Sequence, residues 1–140
     1  FRPQSTETYF YNGEAVLEGE LAPAGWKIPD SDDWQALKEY TKDSASILKA
    51  GEWEVLKEGD TIDSGSNLTG FSAYPVGIWG AGKNISQKQL VCYWTLNETE
   101  NSIPEQSISF TGSSTKFSVA ATHVKNETYY KAFSIRCIKE

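Results

Sequence analysis

Residues 25–37 read GWKIPDSDDWQAL and decide how the first third of the chain folds. Two tryptophans stand eight residues apart here with three aspartates between them, which suits either a catalytic acidic cluster or a helix start. Pro29 ends the extended GWKI segment, and Asp30 follows at the position of a helix N-cap. Aspartates in a first turn accept hydrogen bonds from unpaired backbone N–H groups and face the positive end of the helix dipole. The stretch therefore predicts a helix capped by Asp30, with capping rather than catalysis as the role of its acidic residues.

The segments next to this helix carry weaker signals. Trp34, Leu37 and Thr41 recur at helical spacing and predict a buried stripe. Upstream, residues 8–21 read TYFYNGEAVLEGEL, an aromatic segment that favours a strand or a packed arm interrupted by two glycines. After the helix, residues 47–53 suit a short second helix or a turn.

The middle of the chain is rich in residues that favour loops. Residues 59–70 consist largely of Gly, Ser, Asp and Asn and predict a loop. Residues 71–84, FSAYPVGIWGAGKN, mix aromatic residues with Gly and Pro. We expect this second stretch to be irregular but packed.

The last third of the chain changes to a strand pattern. Residues 90–95, LVCYWT, form a compact run of strand formers. Residues 107–110 and 115–120 flank a Gly-Ser-Ser turn, and both runs alternate apolar with polar residues. The apolar residues are Ile108 and Phe110 before the turn and Phe117, Val119 and Ala121 after it. The pattern predicts an antiparallel hairpin with one buried face. In the closing KAFSIRCIK run, the alternate residues Phe133, Ile135 and Cys137 share one face. One or two helices followed by an antiparallel sheet make an α+β fold.

Composition excludes several classes of protein. At 140 residues the chain suits a single domain, and its 13% aromatic content can build a substantial core. The net charge is −6 and no stretch concentrates Lys or Arg, so we expect no nucleic-acid partner. No apolar run approaches the ~20 residues of a membrane span. The chain holds no methionine, and we expect it to be excised from a longer secreted precursor.

The motifs that usually mark enzymes do not occur in the sequence. The one histidine, His123, has no metal-ligand set or nucleophile near it in sequence. The two cysteines do not form a CxxC pair, and no phosphate-binding glycine loop is present. We therefore expect no catalytic residue, no cofactor and no metal ion.

Five segments of the chain, in order, resemble the Fibrobacter succinogenes major paralogous domain. GWKIPDSDDWQAL is similar to the segment GWRLPT-x-x-EW-x-x-L of that family. The others are ILKAGEW from residue 47, SNLTGFSAYPVG from residue 66, CYWTLNE from residue 92 and FSIRCIK from residue 133. They cover most of residues 25–139, and residues 1–21 are only loosely matched.

The resemblance implies a fold, a domain organisation and a location. Members are bacterial secreted and surface proteins, thought to share a C-type-lectin-like fold with N-terminal helices, a twisted antiparallel sheet and long loops. Residues 1–140 would form a single domain, with an N-terminal arm or strand over 1–21 and the shared core over 22–140. We expect an extracellular or outer-surface location, with lipid anchoring through a removed N-terminal segment as one option.

The resemblance also separates core aromatics from candidate ligand-binding residues. Trp26, Trp34, Trp53 and Trp94 fall in the matching segments, so we expect them to be buried. Specificity should lie in the loops between those segments. The predicted ligand-binding residues are Trp79, Asn84, Asn97, Glu98, Asn101, Glu105, Tyr129 and Tyr130.

The sequence thus favours a noncatalytic adhesion or recognition module that binds a glycan, or a host or neighbouring surface protein. One alternative is a structural assembly module, for example in a fimbria, without a small ligand. Another is an enzyme related to the formylglycine-generating enzymes, because the fold that the resemblance implies is related in outline to theirs. The predicted strand faces bring Cys92 and Cys137 within reach of a disulfide, and two buried free thiols are the alternative. The calcium-binding motifs of lectins do not occur, so binding should not require calcium.

Overall fold

The computed structural model of the chain describes residues 9–96, 106–121 and 131–140. Two helices lie in the first third, and most of the remaining regular structure is antiparallel sheet, which confirms the α+β class. In chain order the elements are β1 (Tyr11–Asn12), α1 (Gly13–Glu18), β2 (Trp26–Lys27), α2 (Ser31–Tyr40), β3 (Ile78–Gly80), β4 (Lys83–Ile85), β5 (Leu90–Trp94), β6 (Gln106–Thr111), β7 (Ser118–Ala121), β8 (Ala132–Phe133) and β9 (Ile138–Lys139).

Helix α2 begins as the sequence predicts. The Asp30 carboxylate accepts a hydrogen bond from the Asp33 N–H at 2.9 Å, and the Asp33 carboxylate accepts one from the Asp30 N–H at 3.0 Å. This reciprocal capping box pairs two backbone donors that the helix itself cannot pair. Trp34 and Thr41 are buried, as the stripe predicts. Neither described helix is long and apolar enough to span a membrane.

Helix α1 lies where the sequence favoured a strand or an arm. Only Tyr11 and Asn12 are extended, and the Asn12 side chain then caps the helix by accepting from the Ala15 N–H at 2.9 Å. Gly19 ends it in the left-handed conformation with a φ of 77°. The two glycines that were expected to interrupt a strand instead bound a helix, because both support helix termini.

The predicted irregular segment contains the β3–β4 hairpin. Its two turn residues, Ala81 and Gly82, have φ values of 50° and 75°. Positive φ at both turn positions gives the twist that two-residue hairpins favour. By contrast, residues 47–53 form turns rather than a second helix.

The strands form three antiparallel sheets whose orders are β1-β8-β3-β4, β2-β9 and β5-β6-β7. Strand β5 joins the largest sheet to the three-stranded one. The Gly77 N–H donates to the Leu90 carbonyl at 2.7 Å, and the Ser134 N–H donates to the Cys92 carbonyl at 3.0 Å. The segments that enter β3 and leave β8 therefore meet beside β5.

Strand β5 is buried on both faces, which explains why its sequence is continuously apolar. Val91 and Tyr93 point into a first core, and Cys92 and Trp94 point into a second. The first core consists of Trp34, Ala45, Leu48, Trp53, Ala73, Val91, Tyr93, Ile108 and Phe110. The second consists of Val16, Ile28, Cys92, Trp94 and Phe133.

The closing segment divides into two short strands instead of one. Phe133 is buried in the second core, and Ile135 and Cys137 pack against it, as their alternation predicts. Residues 135–137 lie between β8 and β9, and there the Arg136 side chain contacts Phe71. Val119 is 61% exposed, so the prediction of a buried face on that side of the hairpin is wrong there. The reason is that, among the described strands, β7 is the outer strand of its sheet and pairs with β6 alone.

The predicted burial of the motif tryptophans holds for Trp34, Trp53 and Trp94 and is wrong for Trp26. Trp26 is 44% exposed. It lies in β2, which pairs only with the two-residue β9 in a sheet of its own. A two-stranded sheet of this size covers little of a large indole, so membership of a matching segment did not ensure burial.

Candidate functional site

The acidic cluster at the start of α2 is occupied by structural contacts. Besides the capping box, the Asp33 carboxylate lies 2.8 Å from the Lys27 ammonium. Partial burial opposes ionisation of Asp33, but the hydrogen bonds from Lys27 and the Asp30 N–H outweigh it and hold its pKa below the usual range. A carboxylate with a lowered pKa is a poor general acid or base near neutral pH. The geometry therefore supports the capping role.

Two of the predicted ligand-binding residues lie side by side in the β3–β4 hairpin. Trp79 pairs with Asn84 across the hairpin, and its side chain is 42% exposed. The Asn84 amide nitrogen donates to the Val76 carbonyl at 3.1 Å. Asn84 thus already holds the chain that enters β3, while Trp79 offers an open indole.

The other predicted ligand-binding residues lie outside the described part of the chain. They are Asn97, Glu98, Asn101, Glu105, Tyr129 and Tyr130. For these residues the ligand-binding role stays a prediction.

A cleft of about 320 Å³ lies where β5 meets the largest sheet. We call it the tyrosine cleft. Its lining residues are Tyr9, Tyr11, Ser72, Tyr74, Val76, Tyr93, Ser134, Ile135 and Arg136. Its volume is at the lower end of the ~300–1,000 Å³ of small-ligand sites. None of these residues was among the predicted ligand-binding set.

Among the described residues that line the cleft, Arg136 is the one with a charged side chain. Its Nη2 donates to the Phe71 carbonyl at 2.6 Å, and its guanidinium carbon lies 4.6 Å from the centre of the Phe71 ring. The ring contact and the hydrogen bond together hold the guanidinium against Phe71. Arg136 is thereby oriented by the protein itself.

The loop that carries Phe71 is fixed by its own polar side chains. The Asn67 side chain accepts from the Ser72 N–H at 2.8 Å and donates to the Ser72 hydroxyl at 3.0 Å. The Thr69 hydroxyl accepts from the Phe71 N–H at 3.2 Å. Ser72 has a φ of 60°, a left-handed conformation that a serine adopts only when its surroundings hold it there. These contacts place the carbonyl to which Arg136 donates.

The tyrosines that line the cleft come from different parts of the chain. Tyr11 is held by β1 pairing and by the Trp94 indole N–H, which donates to the Tyr11 carbonyl at 2.7 Å. Tyr74 is 37% exposed. Tyr93 is buried, and burial raises its pKa although the nearby Arg136 acts in the opposite direction. The Tyr93 phenol therefore stays protonated at neutral pH.

Ser134 supplies a polar group whose hydrogen-bonding capacity is unused. The residue is 7% exposed, and its buried hydroxyl has no hydrogen-bond partner. Buried hydroxyls in folded proteins nearly always have one. The lining of the tyrosine cleft thus includes one unpaired hydroxyl beside one oriented cation.

One sequence signal points to this site. Arg136 is a charged residue between the apolar residues Ile135 and Cys137 of the FSIRCIK segment. A charge flanked by strand formers indicates a residue with a specific partner. Tyr11 and Tyr74 could not be linked to it, because they are distant in sequence and meet only through the sheet junction.

The structure describes Cys92 and Cys137 as free thiols, and the disulfide between them stays a prediction. Both pack with the second core, where they act as small apolar side chains. Burial raises the pKa of Cys92 to about 11, against the opposing effects of Ser107 and Lys131. Burial also raises the pKa of Cys137. Both groups are therefore protonated near neutral pH.

Within the described ranges, no three His, Cys, Asp or Glu side chains are grouped so that they could hold a metal ion.

Comparison with known proteins gives a family and no individual relative. The sequence model of the Fibrobacter succinogenes major domain matches residues 2–139. No curated protein and no solved structure matches the chain. The matched range includes every residue that lines the tyrosine cleft.

Proposed function

The chain belongs to the Fibrobacter succinogenes major domain family, and on that premise we propose that it is a noncatalytic recognition module of a bacterial surface protein. It binds a glycan or a surface protein outside the cell. The observation that carries the proposal is the tyrosine cleft with its oriented arginine. Aromatic side chains combined with a few fixed polar groups are typical of ligand sites.

We also propose that the domain has the C-type-lectin-like fold that the family resemblance implies. The helices in the first third support it, as do the antiparallel sheets and the long irregular segment over residues 41–77. In such a fold the loops and the sheet junctions carry the binding surface. The tyrosine cleft at the junction beside β5 agrees with this arrangement.

The chemistry of the thiols supports a noncatalytic role over an enzyme of the formylglycine-generating type. An enzyme of that type needs reactive thiols. The thiolate is the reactive form of cysteine, and a raised pKa disfavours it. Cys92 is buried with a pKa of about 11, and Cys137 is also shifted upward. Their position against the second core suits packing.

Binding can be tested on glycan arrays and on bacterial and host surface-protein extracts with the 140-residue chain. The Tyr74→Ala variant removes part of the cleft wall. The Tyr40→Ala variant is the matched control, because Tyr40 is 81% exposed on α2 and does not line the cleft. Thermal unfolding of each variant verifies that the fold is intact.

We expect the parent chain and Tyr40→Ala to bind the same ligand, and Tyr74→Ala to bind it at least about tenfold more weakly. A chain that binds nothing on either platform would instead support the structural assembly module. Equal binding by Tyr74→Ala would remove the cleft from the proposed function.

A further inference from the structure

We propose that the tyrosine cleft binds a single terminal acidic sugar residue, with the Arg136 guanidinium taking the carboxylate of the sugar. This inference rests on the proposed function and specifies its ligand. Four features of the cleft support it: its uncompensated charge, its fixed donor, its unpaired hydroxyl and its aromatic wall.

Among the described residues, no ion pair neutralises the positive charge of Arg136. Lys27, Lys38, Lys49 and Lys88 each make an ion pair, and Arg136 takes part in none of these four. The described residues that line the cleft include no carboxylate. An uncompensated cation in a cleft attracts an anion more strongly than the same charge on an open surface, because the cleft walls focus its field.

The guanidinium is prepared for a planar anion before the ligand arrives. It has five N–H donors in one plane, and the Phe71 carbonyl uses one of them. Contact with the face of the Phe71 ring, at 4.6 Å from its centre, restricts where the other donors lie. A carboxylate is planar and accepts two parallel hydrogen bonds from such a fork. Because Asn67 and Ser72 already hold Phe71 in place, little order has to be gained on binding.

The Ser134 hydroxyl indicates that the ligand also has polar groups close to its charge. Ser134 is two residues before Arg136 and lines the same cleft. Its hydroxyl is buried and unpaired, and rotation of the side chain toward the cleft would let it bond a carboxylate oxygen or a sugar hydroxyl of a bound ligand. A purely apolar ligand would leave this hydroxyl without a partner.

The tyrosines favour a sugar over other carboxylates. Tyr11 and Tyr74 present amphipathic rings, with an apolar face for the C–H groups of a sugar and a hydroxyl for its edge. Peptide C-termini are commonly held by successive backbone N–H groups, whereas the polar contacts identified in this cleft come from side chains. The cleft volume of about 320 Å³ suits one sugar residue at the end of a chain.

The overall charge of the protein favours one carboxylate over a polyanion. The chain carries a net charge of −6, which repels a polymer with many negative groups. One arginine can compensate one carboxylate locally. We therefore expect an acidic residue at the end of an otherwise neutral glycan, rather than a polyuronate or a nucleic acid.

The test is calorimetric titration with methyl glycosides of glucuronic, galacturonic and N-acetylneuraminic acid. Methyl glucoside and methyl galactoside serve as the neutral counterparts. The methyl ester of the glucuronide removes the charge from the ligand without altering the protein. A short peptide with a free C-terminus and methyl phosphate complete the panel.

Arg136→Gln removes the cation, and Lys83→Gln is the matched control. Lys83 is an exposed cation in β4 outside the cleft, so both variants change the net charge equally. We expect at least one acidic glycoside to bind about tenfold or more tightly than its neutral counterpart. Esterification and Arg136→Gln should each abolish this preference, and Lys83→Gln should retain it. If Arg136→Gln fails to fold, the ester comparison decides alone.

Other outcomes separate this inference from the proposed function. Neutral glycans that bind as well as acidic ones, with Tyr74→Ala still weakening them, would overturn the acidic-sugar assignment and leave the recognition module intact. Preference for the peptide or for methyl phosphate over every acidic glycoside would also overturn the assignment. An absence of binding to the whole panel, together with blank arrays, would overturn both proposals.

Discussion

Replacing Lys49 by methionine should destabilise the domain by about 3 kcal/mol. The side chain of Lys49 is fully buried, and its ammonium donates to the Thr111 and Ser114 carbonyls, each at 2.9 Å. The same ammonium lies 3.5 Å from the Asp63 carboxylate and 4.8 Å from the centre of the Trp53 ring. It thereby connects the turn after β6 to the loop over residues 59–70.

The magnitude follows from opposing contributions. Hydrogen bonds from a charged donor contribute ~1.5–3 kcal/mol each, so loss of both would cost ~3–6 kcal/mol. The partly exposed pair with Asp63 adds at most about 1 kcal/mol. Methionine is similar in volume to lysine, so no large cavity is left. The substitution also removes the desolvation penalty of the buried ammonium, which is several kcal/mol and offsets part of the loss. The lost hydrogen bonds and ion pair, offset by the recovered desolvation penalty, leave a net cost of about 3 kcal/mol.

Urea unfolding at pH 7 measures this change for Lys49→Met, for Asp63→Asn and for the double variant. Asp63→Asn should cost only about 1 kcal/mol, because the Asp63 side chain is partly exposed and asparagine keeps an acceptor. The double variant should be less destabilised than the sum of the two, since both single changes remove the same ion pair. A Lys49→Met variant as stable as the parent chain would refute the reasoning, because desolvation would then outweigh both carbonyl hydrogen bonds.

The Asp63 contribution should disappear in acid. Partial burial opposes ionisation of Asp63, but the Ser46 hydroxyl, the Lys49 ammonium and the Gly65 N–H together hold its pKa below the ordinary value. A lowered folded-state pKa stabilises the domain above the unfolded-state pKa, about 4, and this stability is lost as the pH falls through the folded-state value. The difference in unfolding free energy between the parent and Asp63→Asn should therefore stay constant from roughly pH 5 to 7. It should shrink below about pH 4.

The remaining predictions concern burial, thiols and calcium. Trp34→Ala should cost ~3–5 kcal/mol because Trp34 is buried, whereas Trp79→Ala should cost under ~1 kcal/mol because Trp79 is 42% exposed; urea unfolding compares them. Thiol titration of the unfolded, unreduced protein should find both Cys92 and Cys137 free, and native Cys92 should react slowly because it is buried and protonated. Detection of no free thiol would restore the disulfide. EDTA should leave the melting temperature and ligand binding unchanged, and an EDTA-sensitive shift would contradict calcium independence.

Local features of the fold were predictable from the sequence, and long-range features were not. Asp30 could be identified as a cap because the groups that decide it lie within three residues of it. The two faces of β5 could be anticipated from a continuous apolar run. The exposure of Trp26 depends on how little of its surface β9 covers, and sequence spacing contains no such information. The glycines at the ends of α1 were misinterpreted because glycine supports helix ends and strand breaks alike.

The candidate site was missed for a related reason. Ligand binding was expected in loops outside the segments that carry the family resemblance. Arg136 and Ser72 lie inside those segments and line the tyrosine cleft, because core-forming segments also end at the sheet junction. A residue of a core-forming segment can therefore also line the cleft, as Tyr93 and Ile135 do.

The placement of β5 between the two cores has a consequence for how the domain unfolds. Val91 and Tyr93 cannot leave the first core without withdrawing Cys92 and Trp94 from the second. Neither core should therefore unfold without the other. The calorimetric and van't Hoff enthalpies of unfolding should then agree. The backbone amides of β5 should exchange with deuterium only when the whole molecule opens, which would make this strand the slowest-exchanging part of the described chain.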